Sequence, residues 1–155
     1  MATDDVWVFF YGSFMNRAVL REGGFVLGDF EAARLRGYDV ATTPLVTLVP
    51  APDTLVYGIA CQGSSEALGR LYGTDWPYRA SGPSQYVPRA VLVESVTTPG
   101  RQWPAMCYIA PVVARVVPQR AYLERVTLPA REYGFPTWYL ERLARLAEPD
   151  AIIGV

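Results

Sequence analysis

The residues of this sequence that could do chemistry begin with Tyr11, Gly12 and Ser13, which end an apolar run at residues 6–10. The run is rich in β-branched and aromatic side chains, so it predicts a buried, central strand. Glycine can take backbone angles closed to other residues, and a sharp bend at Gly12 would aim the amides of Ser13, Phe14 and Met15 at one spot. Such a turn holds an anion or an oxyanion. The alternative is a plain strand exit, in which Ser13 caps residues 16–22.

The residue types that are missing limit the chemistry further. The chain has no histidine, and all 14 of its basic residues are arginine. Serine–histidine and cysteine–histidine dyads, Schiff-base lysines, histidine-ligated zinc and the Walker lysine are therefore excluded. Ser13 is consequently predicted to be a hydrogen-bond donor and not a nucleophile. Protons would have to be moved by a carboxylate or a tyrosine.

Strand signals dominate the first two thirds of the chain. Polar and apolar residues alternate imperfectly through residues 31–40, as on a strand with one solvated face. Gly37 within this run predicts a bulge in a strongly curved sheet. Residues 45–49 are flanked by Pro44 and Pro50, which predicts a short strand or a substrate-side loop. Further strands are expected at residues 54–61 and 112–117, and a hairpin is expected from residues 87–96 and 101–109.

Helix signals frame these strands. Short helices are predicted at residues 17–22 and 66–72, the second capped by serine, and longer ones at residues 119–126 and 136–147. The stretch from Thr74 to Tyr86 is rich in Gly, Pro and Ser and predicts a long loop. Asn16 either caps backbone groups or binds a ligand, and capping is the favoured interpretation.

Composition indicates one domain, residues 1–155. About half of the 155 residues are apolar (51%), which is enough for a single core, and no repeat or linker divides the chain. The formal charge of −1 gives no basic surface, so neither nucleic acid nor a membrane is an expected partner. The acidic N-terminus lacks a signal-peptide pattern, which predicts a cytoplasmic protein. Cys61 and Cys107 are expected to be buried free thiols, and no metal-ligand spacing occurs.

Two motifs carry a resemblance to a known family. Residues 11–15, Tyr-Gly-Ser-Phe-Met, resemble the Tyr-Gly-Ser-x-x loop of the γ-glutamylcyclotransferase-like (AIG2-like) family. Residues 129–140 are similar to the Ala-Arg-Glu-x-Gly-Leu-Pro-x-x-Tyr-Leu segment near the C-terminus of some members. The motifs occur in the expected order and span nearly the whole chain. The resemblance implies an α+β fold, a small mixed and strongly curved β-barrel with flanking helices.

The resemblance also implies a reaction without a cofactor. The α-amine of a γ-glutamyl group attacks its own γ-carbonyl, which releases 5-oxoproline and an amine. The implied partner is therefore a small γ-glutamyl metabolite. The reaction needs oxyanion donors, anchors for the α-carboxylate, and one partly buried carboxylate that serves as base and then acid.

In this family the carboxylate is a glutamate, and the matching position here is Asp75. The aspartate is one methylene shorter, and a misplacement of about 1 Å costs on the order of a hundredfold in rate. Asp75 is thus either the catalytic group or a solvated loop residue. Tyr86 matches a family tyrosine and is expected to bind substrate. Glu94 and Glu132 are further candidates, with the wet face of a strand and an ion pair with Arg131 as their respective alternatives.

The function predicted from the sequence is release of 5-oxoproline from a γ-glutamyl amide. The predicted site consists of Asp75 as the catalytic residue with the substrate-binding residues Tyr11, Gly12, Ser13, Phe14, Met15 and Tyr86, and it holds no metal. Two alternatives stay open. One is a non-catalytic binding protein of the same fold, and the other is a hydrolase or transferase acting on a related amide.

Overall fold

The computed structural model describes residues 5–26, 28–43, 45–73, 86–112 and 116–148. Its five strands are β1 (Asp5–Phe10), β2 (Phe30–Thr42), β3 (Val46–Ser64), β4 (Val87–Ser95) and β5 (Gln102–Ile109). Its four α-helices are α1 (Arg17–Glu22), α2 (Ser65–Gly73), α3 (Arg120–Glu132) and α4 (Thr137–Ala144), and short 3-10 helices lie at Ser13–Met15 and Arg145–Ala147. The strands close into a barrel in the order β1-β3-β2-β4-β5. This architecture confirms the predicted α+β barrel with flanking helices.

The barrel is mixed because its first and last strands run in the same direction. β1 pairs with β5 in parallel through Val8 and Met106, whereas the other neighbouring pairs are antiparallel. The contact between β2 and β4 is short and consists of Ala33 with Ser95 and Arg34 with Glu94. We call this two-pair contact the β2–β4 seam. The predicted hairpin is confirmed as β4 and β5.

The longest strand, β3, corrects one prediction. Residues 45–49 were expected to form a separate short element, but β3 continues from Val46 through Pro50 and Pro52 to Ser64. The prolines are tolerated because the pairing with β2 is interrupted there, passing from Arg36 opposite Leu55 to Tyr38 opposite Pro50. The predicted bulge at Gly37 is confirmed, and the glycine has a φ of 89° at that point.

The barrel interior and the helices share one core. Aromatic and branched side chains from β1, β3, α1 and α4 are fully buried, among them Phe9, Phe10, Leu20, Ile59 and Tyr139. β1 and β3 approach so closely that a Cβ added at Gly58 would lie 2.2 Å from the Phe10 carbonyl oxygen. Cys61 and Cys107 are buried free thiols in strands, as predicted.

The helices follow the predicted pattern with two corrections. The helix expected at residues 119–126 extends through Pro129 to Glu132, because Val126, Pro129 and Ala130 bury one continuous face. Of the strand expected at residues 112–117, the described residues Val112, Val116 and Val117 lie outside any strand, and residues 113–115 are outside the described ranges. None of the helices in the described ranges has the length and apolarity required to cross a membrane.

Candidate active site

The predicted turn is a single 3-10 turn that follows β1. The Met15 N–H donates to the Gly12 carbonyl oxygen at 3.0 Å, and the Asn16 N–H donates to the Ser13 carbonyl oxygen at 3.0 Å. The expectation that the Met15 amide points at a common binding spot is therefore wrong, because that amide is used inside the turn. Within the described part of the chain, no backbone acceptor pairs with the Ser13 N–H. The Ser13 N–H is thus not used by the hydrogen bonds within the turn.

The conformation of Gly12 is less unusual than the sequence implied. Its φ is −115°, outside the left-handed region that requires glycine. A Cβ added at Gly12 would lie 3.6 Å from the Tyr122 hydroxyl oxygen and 3.7 Å from the Val46 Cβ, which are ordinary contact distances. An alanine would therefore fit at position 12, and it would project its methyl group toward the hydroxyl of Tyr122.

Asn16 begins α1, and its role is structural. The Asn16 Oδ1 accepts a hydrogen bond from the Ala18 N–H at 2.9 Å, which satisfies one of the unpaired amides of the first helical turn. This geometry confirms the favoured interpretation of Asn16 as a cap. It also shows that the alternative role of Ser13, as the cap of this helix, is wrong.

The Tyr122 hydroxyl lies beside the turn and contacts the start of β3. The Tyr122 hydroxyl oxygen accepts a hydrogen bond from the Val46 N–H at 2.9 Å. Burial raises the pKa of Tyr122, and hydrogen bonds with the Val46 backbone and the Ser13 side chain offset part of that rise. Ser13 itself is 8% exposed. The Ser13 side chain is thereby held by α3, which lies far away in the sequence.

Tyr11 and Tyr86 also donate to backbone oxygens. The Tyr11 hydroxyl donates to the Tyr108 carbonyl oxygen at 2.6 Å, and the Tyr86 hydroxyl donates to the Val46 carbonyl oxygen at 2.6 Å. Burial raises the pKa of Tyr11 well above its ordinary value, and the proximity of Tyr86 raises it further. Burial likewise raises the pKa of Tyr86, with an added contribution from Tyr122. Both phenols are therefore neutral at physiological pH.

The aromatic rings around the turn are in contact with one another. Phe14 and Tyr72 meet edge to face with ring centroids 5.2 Å apart. Tyr72 stacks on Tyr108 with centroids 4.0 Å apart, and it lies 5.8 Å from Tyr86. We call the five residues Tyr11, Tyr72, Tyr86, Tyr108 and Tyr122 the tyrosine cluster. It brings the end of α2 and the start of β4 against the turn.

Met15 is the predicted site residue that is most clearly part of the core. Its side chain is fully buried, and its carbonyl oxygen accepts a hydrogen bond from the Tyr133 hydroxyl at 3.1 Å. The structure therefore places Tyr11, Ser13, Phe14 and Tyr86 around the turn of Gly12, while Met15 anchors that turn to α3.

The carboxylates nominated from the sequence have different positions. Asp75 lies outside the described residues. The Glu94 carboxylate accepts hydrogen bonds from Arg34 Nε at 2.8 Å and Arg36 Nε at 2.9 Å. These two bonds, with Arg36 contributing more, lower the pKa of Glu94, which makes it a poor proton donor at neutral pH.

The geometry supports the structural alternative for Glu94 but not the ion pair expected for Glu132. Glu94 lies between the buried residues Val93 and Ser95, so its side chain projects from the opposite face of β4. Glu132 is exposed near the end of α3, and among the described residues it makes no ion pair. The expected pairing of Glu132 with Arg131 is therefore not observed there.

Sequence reasoning missed three members of the tyrosine cluster, Tyr72, Tyr108 and Tyr122, as site residues. It also missed Thr47, a fully buried hydroxyl that both donates to the Ala110 carbonyl oxygen and accepts from the Ala110 N–H. A polar residue inside the apolar run of residues 45–49 was the available signal for Thr47. No comparable signal marked the tyrosines, because each is also a normal residue of a strand or a helix face.

Comparison with known proteins identifies the fold. No protein-family model matches the sequence, and no curated protein matches it. A solved γ-glutamyl cyclotransferase superposes with a TM-score of 0.73 at 21% identity, covering 90% of this chain and 86% of that chain. This chain therefore has the γ-glutamylcyclotransferase-like fold that the two motifs implied.

Two further solved structures have the same fold. YkqA from Bacillus subtilis gives a TM-score of 0.74 at 21% identity and covers 95% of this chain, which spans 55% of YkqA. An uncharacterized protein from Homo sapiens gives a TM-score of 0.68 at 20% identity, covering 91% of this chain and 87% of that chain.

Proposed function

We propose that this protein is a cyclotransferase that releases 5-oxoproline and a free amine from the γ-glutamyl amide of a small metabolite. The observation that carries the proposal is the position of the Gly12 turn. In a fold shared with a γ-glutamyl cyclotransferase, the Ser13 N–H has no backbone acceptor among the described residues, and the turn that carries it lies against the neutral, buried hydroxyl of Tyr122. Donors held in a desolvated environment stabilise developing negative charge more strongly than water does.

The proposed reaction is an intramolecular amide exchange. The substrate's α-amine, once deprotonated, attacks the γ-carbonyl carbon, and the carbonyl oxygen becomes an oxyanion that accepts a hydrogen bond from the Ser13 N–H. The C–N bond of the original amide then breaks, and the proton taken from the α-ammonium group passes to the leaving nitrogen. Because nucleophile and electrophile belong to one molecule, the protein mainly has to hold the substrate in a folded conformation.

Asp75 is assigned as the group that carries this proton. Two features support the assignment. By the resemblance, Asp75 matches the position of the family's catalytic glutamate, and Tyr72, in the last turn of the preceding helix α2, packs on Phe14 of the turn. Tyr86, whose hydroxyl already faces the backbone of Val46, is assigned to substrate binding.

The direct test is to incubate the protein with a panel of γ-glutamyl amines and γ-glutamyl dipeptides and to measure 5-oxoproline. Replacement of a general acid–base group costs about 10²–10⁴-fold in rate, so Asp75→Asn is expected to lose at least about a hundredfold. The matched control is Asp53→Asn, which alters an exposed aspartate of β3 and is expected to leave the rate unchanged. Asp75→Glu restores the family's residue and is expected to retain activity.

Two results would overturn the proposal. Full activity in Asp75→Asn would remove Asp75 from its role. Absence of 5-oxoproline with every substrate, together with saturable binding of a γ-glutamyl amide in calorimetry, would establish the alternative of a non-catalytic binding protein.

A further inference from the structure

A second site candidate lies at the other end of the barrel. A cavity of about 230 Å³ opens between the β2–β4 seam and the turn that joins β4 to β5. β1 and β5 are parallel, with Val8 opposite Met106, so Gln102 at the start of β5 lies at the end of the barrel opposite Tyr11. This cavity, which we call the seam cavity, is therefore separate from the tyrosine cluster.

The charged side chains that line the seam cavity are unbalanced. Three of them are arginines, Arg34, Arg36 and Arg101, and one is a carboxylate, Glu94. Glu94 is bound by Arg34 and Arg36 through their Nε atoms, and Gln102 adds a longer contact at 3.3 Å. Among the described residues, the terminal nitrogens of Arg36 have no carboxylate partner. The lining therefore carries an excess of positive charge, which Glu31, paired with Arg101 at 3.8 Å, reduces to a single unit (three arginines less two carboxylates).

Arg101 is the arginine with the least direct pairing. Its Nε lies 3.8 Å from Glu31 Oε1, which is beyond hydrogen-bond distance, and the other oxygen of Glu31 accepts a bond from the Ser95 hydroxyl. The Arg101 guanidinium is instead held over the ring of Trp103, at 4.7 Å from its centroid. A cation–π contact of this kind holds the guanidinium near the ring without using up its N–H groups.

The backbone beside Arg101 leaves the cavity open. Gly100 lines the cavity with a φ of 80°, and a Cβ added there would meet nothing within 4 Å. A volume of about 230 Å³ is several times the roughly 30 Å³ that one water molecule occupies in the liquid. There is consequently room for a tetrahedral oxyanion together with a few water molecules.

We propose that the seam cavity binds a phosphate-sized dianion, either inorganic phosphate or the phosphate group of a monoester, through Arg101 and Arg36. The planar guanidinium fork matches two phosphate oxygens at once, and the excess positive charge favours a dianion over a monoanion. This site is independent of the proposed cyclotransferase reaction, because it uses neither the Gly12 turn nor the tyrosine cluster.

The test is isothermal titration at pH 8 with inorganic phosphate and with phenyl phosphate, at ionic strength held constant with chloride. Saturable binding is expected for the wild-type protein, and Arg101→Gln is expected to weaken it by at least about tenfold because a bidentate charged contact is lost. The matched control, Arg120→Gln, alters an arginine that is 95% exposed on α3, and it is expected to change binding by less than about twofold. Arg36→Gln serves as a second variant should Arg101→Gln fail to fold.

The outcomes separate the two sources of the anion. Tighter binding of inorganic phosphate identifies the free ion as the ligand, and tighter binding of phenyl phosphate identifies a monoester. Lack of saturable binding at matched ionic strength overturns the proposal. Equal affinity in the wild type, Arg101→Gln and Arg36→Gln overturns it as well, since the anion would then bind elsewhere.

Discussion

The two ends of this barrel are held together by different interactions. At the tyrosine-cluster end, neutral hydroxyls bond to backbone groups, as Tyr11 does to Tyr108 and Tyr86 to Val46. At the seam end, Glu94 bridges two arginines across the short contact of β2 with β4. Burial raises the pKa of Tyr11 and Tyr86, so these tyrosines of the first end are neutral. The second end carries ion pairs between side chains. Because β2 and β4 pair through only two residues each, we expect the stability of their contact to depend on these ion pairs.

Two glycines near the tyrosine-cluster end differ in how much room surrounds them. Gly58 lies where β1 and β3 touch, and any side chain there would strike the Phe10 backbone. Gly12 has room for a methyl group but faces the hydroxyl of Tyr122. The first glycine is required by packing, whereas we attribute the second to the substrate binding proposed for the turn.

The largest effect is therefore expected from Gly58→Ala, whose Cβ would lie 2.2 Å from a main-chain oxygen. Overpacking of a closely packed core costs about 1–3 kcal/mol or more, and a backbone clash belongs at the upper end of that range. Gly12→Ala is expected to stay within about 1 kcal/mol of the wild type while 5-oxoproline release falls at least about tenfold. Urea unfolding and the product assay measure both quantities. Comparable unfolding free energies for the two variants would contradict the view that packing requires glycine at position 58 but not at position 12.

Tyr122→Phe is expected to have the next largest effect. It leaves the buried N–H of Val46 without the acceptor that now lies 2.9 Å away, and an unsatisfied buried donor costs about 1–3 kcal/mol. The control is Tyr38→Phe, since the Tyr38 hydroxyl makes no hydrogen bond within the described ranges, and a change below about 0.5 kcal/mol is expected. A Tyr122→Phe variant as stable as the control would show that the hydroxyl network is not needed for stability at this end.

Glu94→Gln tests the ionic end. Its lowered pKa means that Glu94 stabilises the fold above the ordinary value of 4.5 and that this contribution is lost as the pH falls through the lower folded-state value. The variant is expected to be about 1 kcal/mol less stable than the wild type at pH 7, a shift of a few degrees in Tm, and the difference should shrink in acid. Glu124→Gln, on the exposed face of α3, is the control. A difference that persists unchanged at pH 3 would contradict the ion-pair account.

The smallest expected effect is the chemical reactivity of the two thiols, which lie in the core between the two ends of the barrel. Burial raises the pKa of Cys61 and of Cys107 to about 12, so at pH 8 the thiolate fraction is on the order of 10⁻⁴. A disulfide reagent such as DTNB is expected to label neither cysteine in the native protein and both in urea. Rapid labelling of native protein would show that the barrel interior opens.

The sequence predicted those parts of the fold whose signals are local. The strand at residues 6–10, the helix after Asn16, the bulge at Gly37 and the β4–β5 hairpin all depend on neighbouring residue types, and each is present. Two predictions of element length failed. Pro50 was taken as the end of a short element and residue 126 as the end of a helix, but pairing in β3 and burial along α3 carry both elements further, through Pro50 and Pro129.

The candidate site could be predicted only in part. The turn at Gly12 and the tyrosine at position 86 were found through resemblance. The contact of Tyr11 with Tyr108 spans 97 residues, and that of Tyr122 with Val46 spans 76. Contacts of this length arise when the barrel closes, and no periodicity within a single element encodes them.

The most direct test of the account compares its two carboxylates in one assay. The rate of 5-oxoproline release is measured for wild type, Asp75→Asn and Glu94→Gln at a temperature where all three are folded. The account predicts a loss of at least about a hundredfold for Asp75→Asn and a change of less than about twofold for Glu94→Gln. Loss of activity in Glu94→Gln together with an active Asp75→Asn would place the reaction at the seam end of the barrel. That result would contradict the assignment of the reaction to the Gly12 turn and Asp75.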